Sequence, residues 1–115
     1  MKNDLVQKLA LRCGGTVAQL QENTEIDGGR RVLFIIDLND PKANYRLLTE
    51  GDLNALSETE RETCRRTGMS PFTNMKLIVY RKADGETGFR LLHGMASRIV
   101  KEMAELCQTG AFNDM

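Results

Sequence analysis

The alternation of apolar and polar positions is strongest at Arg31-Val32-Leu33-Phe34-Ile35-Ile36-Asp37-Leu38. In an extended chain Val32, Phe34, Ile36 and Leu38 share one face. Leu33 and Ile35 take the other, and Asp37 closes the run. A strand that is apolar on both faces needs cover on both sides, which places it inside a sheet.

The flanking pattern predicts the remaining elements. Asn3 or Asp4 caps a first helix in which Leu5, Val6, Leu9 and Cys13 recur at helical spacing, and Gly14-Gly15 end it. Thr16 to Glu22 alternates mildly through Val17 and Leu20 and reads as a strand. Asp27-Gly28-Gly29 then turns the chain back into the central strand. A phosphate cradle would set such glycines between a strand and a helix, whereas here a strand follows.

Asn39-Asp40-Pro41 ends the central strand, and Tyr45 to Leu48 is expected as a short third one. A helix starts at Thr49 or Asp52. Ser57-Glu58-Thr59-Glu60 is a capping box for another, which runs to Thr67 and stops at Gly68. Its apolar face is thin, as befits a surface helix. Met75 to Ala83 reads as a strand through Leu77, Ile78, Val79 and Tyr80. Asp84-Gly85 turns it, and Phe89 to Leu92 returns. A last helix carries the stripe Met95, Ala96, Ile99, Val100, Met103, Leu106 and Cys107, opposite Arg98, Lys101, Glu102 and Glu105, and closes at Gly110. Residues 110–115 are expected as a loose tail, with Phe112 able to dock. The order α-β-β-(β)-α-β-β-α predicts one α+β domain over 1–115: an antiparallel sheet of four to five strands with helices packed on one face.

Composition narrows the function classes. The 115 residues are 41% hydrophobic and 28% charged, ordinary values for a globular domain that buries a core without metal or disulfide help. Lys+Arg 16 against Asp+Glu 16 excludes a bulk polyelectrolyte role but leaves local patches open. Cys13, Cys64 and Cys107 lie far apart in sequence, so no zinc knuckle, redox pair or disulfide framework is expected, and a reducing compartment is. No apolar run reaches about twenty residues, the length of a membrane span. Met1-Lys2-Asn3-Asp4 lacks the apolar core of a signal peptide, so the cytoplasm is the expected location.

Candidate chemistry is sparse. His93, the one histidine, sits before Gly94 at a strand-to-helix transition and reads as structural or solvated. Its convergence with Cys64 and Asp37 is the one enzymatic arrangement available. Asp37, Asp40 and Glu50 flank the end of the central strand, but without the ligand spacing of a calcium loop. Cys13 and Cys107 fall on apolar helix faces and read as core. No catalytic residue, metal ligand or cofactor is assigned.

The stretch 59–76 resembles the centre of a helix-turn-helix. Cys64 precedes Gly68 by four positions, Met69 offers an apolar plug, and Ser70-Pro71 is a good helix start. Asn74 occupies a position where that family packs an aliphatic residue. The resemblance implies contacts to phosphates and base edges by Arg65, Arg66, Thr73, Asn74 and Lys76. Glu50, Asp52, Glu58, Glu60 and Glu62 make the middle acidic. Lys76, Arg81, Lys82, Arg90, Arg98 and Lys101 make the last third basic, with Tyr80 and Phe89 in the same hairpin as candidates to stack bases.

The expectation is a non-enzymatic protein-binding module acting through a surface. Adaptors, dedicated chaperones and inhibitors of larger bacterial or phage assemblies are of this kind. Arg65, Arg66, Lys76, Arg81, Lys82 and Arg90 are the candidate contact residues. The element order is similar to that of the small chaperones for type III secretion effectors, which implies a dedicated-chaperone role; those proteins are typically acidic, and this chain is balanced. The alternative is a nucleic-acid binder using 59–76 or the basic hairpin. A homodimer is also expected if Leu33, Ile35, Ile78 and Tyr80 line a sheet face that the helices leave bare.

Overall fold

The computed structural model describes residues 2–20, 24–26 and 28–115. The elements are α1 (Lys2–Cys13), β1 (Thr16–Val17), β2 (Glu25–Ile26), β3 (Arg30–Leu38), α2 (Pro41–Tyr45), α3 (Glu50–Asn54), α4 (Glu58–Thr67), β4 (Met75–Arg81), β5 (Thr87–Leu92) and α5 (Ser97–Gln108). The five strands form one antiparallel sheet in the order β1-β3-β4-β5, with β2 also on β3. β3 is internal, as its two apolar faces require. β1 pairs with Asp37 and Ile36 at one end of it, β2 with Arg31 and Arg30 at the other, and β4 along its length. The chain is of the α+β class.

A β-bulge corrects the face assignment of the central strand. Val32 opposes Tyr80 and Phe34 opposes Val79, so the register shifts by one residue between them. An extra residue in one strand turns everything beyond it to the opposite face. Val32 therefore joins Ile78 and Tyr80, while Leu33 packs with Phe34, Ile36 and Leu38.

The main core lies on that second set's face. Leu9 and Cys13 of α1 and Ile99 and Met103 of α5 cluster there with Phe34, Ile36, Leu38, Met75, Leu77 and Val79. A separate cluster holds Leu48, Leu53 and Cys64 between α3 and α4, and Phe72 touches both.

Local chemistry explains the departures from expectation. The first helix begins at Lys2, so Asn3 and Asp4 lie within its first turn. Of the strand expected over Thr16 to Glu22, only Thr16–Val17 is strand; residues 21–23, like Asp27, fall outside the described residues. Gly28 and Gly29, at φ 78° and 72°, still make the turn that sets Ile26 against Arg30. Tyr45 to Leu48 is no strand. Asp40 caps Lys42 and Ala43, Pro41 sits in the first turn, and a short helix runs to Tyr45 instead. The helix-turn-helix expectation is also overturned. α4 ends at Gly68 in the left-handed region, residues 69–74 form a loop, and Met75 opens a strand. Leu77-Ile78-Val79-Tyr80, all buried, fills an internal strand between β3 and β5, the role their side chains favour. The expected loose tail is docked: Phe112 is 1% exposed, with its ring 5.2 Å from that of Phe34.

Candidate functional site

The sheet face opposite the main core carries a second, smaller apolar cluster. Val32 of β3 and Ile78 and Tyr80 of β4 form its buried centre. Ile35, Leu92, Leu20 and Ile26 pack around them, half-buried, and among the described residues no helical one belongs to this cluster. Two features fix its shape. Tyr80 opposes Gly88 across the β4–β5 pair, and a Cβ at Gly88 would stand 2.8 Å from the phenol ring, so the missing side chain is what lets the ring lie flat. Arg30 then lies over that ring at 5.1 Å from its centroid and donates weakly to its hydroxyl at 3.4 Å.

Charge borders the apolar centre. Asp37 and Lys76 oppose each other in the β3–β4 register and pair at 2.5 Å, both partly exposed. Arg90 opposes Ile78 on β5. The face is thus an apolar strip with Arg30 at one end, Arg90 beside it and the Asp37–Lys76 pair at the other end.

The cations singled out from the sequence do not all share this surface. Lys76 and Arg90 lie on it. Arg65 and Arg66 project from α4, where Arg65 pairs with Glu50 at 3.2 Å. Arg81 is turned to the other side, donating to the carbonyls of Phe112 at 2.7 Å and Met115 at 3.5 Å and thereby holding the chain's last residues. The Lys82 amide donates to Glu86 in the hairpin turn. Tyr80 is 7% exposed and Phe89 packs on the main core, so neither ring is free to stack a base. Arg30 was not among the nominated residues; its place beside a turn gave no sign that a tyrosine fifty residues away would meet it.

The enzymatic arrangement does not assemble. Asp37 is tied to Lys76 on the sheet face opposite the main core, Cys64 is buried between α3 and α4, and His93 is exposed after β5 with a left-handed backbone at φ 64°. No hydrogen bond joins the three among the described residues. The thiols are poor nucleophiles. Burial, then the nearby Glu102, pushes Cys13 up to about 11. Burial also raises Cys64, with Glu60 adding to it, and raises Cys107. Among the described residues, no group of three or more His, Cys, Asp or Glu side chains is placed to hold a metal ion. Among the described residues, no helix is long and apolar enough to cross a membrane.

The chain matches no family model, no curated protein and no solved structure.

Proposed function

We propose that the chain is a non-enzymatic protein-binding module, of the adaptor, dedicated-chaperone or inhibitor kind, and that the sheet face opposite the main core is its contact surface. One observation carries this reading: an apolar cluster with a buried centre of Val32, Ile78 and Tyr80 and half-buried Ile35 and Leu92, on which no helix packs among the described residues, bordered by Arg30, Lys76 and Arg90. An apolar centre with a charged rim is the anatomy of a protein contact. The cations favour a partner segment that is apolar with acidic flanks.

The test is capture from a lysate of the source cells, with and without nuclease, by the parent chain and by Ile35→Lys. Ile35 is half-buried at the edge of the strip, so the lysine places a charge in the contact while its stem follows the surface. The reading expects a stoichiometric protein that survives nuclease and is lost with Ile35→Lys, while the variant's thermal unfolding stays cooperative. Equal recovery by both chains would sink it. Recovery that collapses with nuclease, together with duplex binding that weakens steeply with salt, would move the function to nucleic acid.

A further inference from the structure

We propose that α4 is a homodimer interface, in which the groove beside the helix receives α4 of a second copy running antiparallel. This inference stands on observations separate from the sheet face and does not rest on its proposed function. The groove, about 240 Å³, runs between α4 and the segment that follows it, and its lining includes Thr59, Glu60, Thr63, Cys64, Thr67 and Met69. Its apolar character is hidden in the sequence because three of these are threonines. The Thr63 hydroxyl donates to the Thr59 carbonyl at 2.9 Å and the Thr67 hydroxyl to the Thr63 carbonyl at 2.7 Å. Their hydrogen bonds are thus met within the helix, and what a neighbour meets is methyl groups. Met69, at 38% exposed, is one of the few large apolar side chains left in water.

Charge selects the occupant. α4 carries Glu58, Glu60 and Glu62 toward its start and Arg65 and Arg66 toward its end; Arg61 lies among the acids but donates to the Leu53 and Leu56 carbonyls of its own chain. A two-fold axis near Thr63 sets the acidic half of one helix against the basic half of the other, twice, as an isologous contact requires. A parallel pairing would set like charges together. At 100° per residue, positions 62 and 66 border the threonine row on the side away from Met69, so Glu62 meets Arg66 of the second copy and the reverse. Both are exposed, and neither is in an ion pair among the described residues. Antiparallel alignment also opposes the two helix dipoles favourably. The ten residues of α4 span only about 15 Å, so the contact is at the small end of specific interfaces. Association is expected at roughly 10–100 µM.

The experiment is sedimentation of the full chain up to roughly 1 mM, at low and high salt. The parent should pass from monomer to dimer, less readily as salt rises. Glu62→Arg and Arg66→Glu should each weaken association by about tenfold or more, since each brings like charges together at two places. Mixed in equal amounts, the two variants should form a heterodimer nearly as tight as the parent dimer. That mixture is the decisive arm: each chain within it still lacks its own Glu62–Arg66 spacing, so only a contact between chains restores binding. Thr63→Arg, at an exposed position that leaves the core intact, should be monomeric throughout. A parent that stays monomeric at the highest concentration would overturn the proposal and leave the groove to a partner of different sequence. So would single variants that dimerise like the parent, or a mixture that fails to associate.

Discussion

Removing the Asp52 carboxylate should destabilise the fold far more than its place in a five-residue helix suggests. Asp52 is 6% exposed. One oxygen accepts from the Thr49 amide at 3.0 Å, closing the capping box of α3, and also from the Ser97 amide at 2.8 Å. The other accepts from the Ser97 hydroxyl at 2.5 Å. The second role matters because α5 has no cap of its own: the residue at its start is Ala96, with no side-chain hydrogen bond. One carboxylate therefore supports the start of its own helix and, through Ser97 45 residues further on, the start of α5. A lost cap costs about 1 kcal/mol, here counted twice. Ser97 itself is exposed, so water meets its donors once the carboxylate is gone. Asp52→Ala should then cost about 2 kcal/mol, or roughly 8 °C in Tm for a domain of this size. Asp52→Asn keeps one acceptor and should cost about half as much.

A pH dependence follows from the same contacts. Burial, the largest influence, pushes the Asp52 carboxyl up, but the hydrogen bonds from Ser97 and Thr49 outweigh it and hold it below its ordinary 3.8. A carboxyl lowered by folding contributes stability above 3.8, and that contribution is lost as pH falls through the folded value. The gap between parent and Asp52→Asn, read by urea unfolding, should therefore be full at pH 7 and shrink below pH 3.8. A cost under about 1 kcal/mol for Asp52→Ala, or a gap that does not change with pH, would refute the reasoning.

Other consequences are open to measurement. Phe112→Ala should cost about 3 kcal/mol in urea unfolding, because the ring is fully buried against Phe34; a near-neutral effect would mean that the last residues do not belong to the core. Gly14→Ala should cost about 3 kcal/mol: Gly14 is at φ 66°, and its Cβ would stand 2.3 Å from that of Ala43. A loss below about 1 kcal/mol would contradict that close approach. In native protein at pH 8 a thiol reagent should reach Cys107, which is half-buried, slowly, and Cys13 and Cys64 only on unfolding. Fast labelling of Cys13 would show that the first helix does not seal the core.

What could be read from the residues was what local chemistry decides. The capping box at Ser57 and Glu60, the left-handed Gly68 and the Asp84-Gly85 hairpin stand where their signals lie. β3 is internal because apolar side chains on both faces leave no other place for it. The bulge at Val32–Phe34 left no trace, since Leu33 and its neighbours are interchangeable by polarity and only the opposing strand fixes the register. The α2 signal was present in Asp40-Pro41, but the same pair also ends strands. Asn44 and Asp52 are buried polar residues whose partners are the Leu38 and Phe72 carbonyls and Ser97, which only the fold brings near. Arg81 read as a surface cation for the same reason: the carbonyls it anchors lie some thirty residues away. The second sheet face was legible only as the expectation that both sides of the sheet need cover, and the bulge decided which residues line it.

The most direct test of the central claim is amide hydrogen exchange of the chain, alone and with its captured partner. Contact through the sheet face opposite the main core predicts new protection at Ile35, at Ile78 and along 90–92, with the amides of α1 and α5 unchanged. Protection confined to α4, or to the outer surfaces of α1 and α5, with β3 and β5 unchanged, would contradict it.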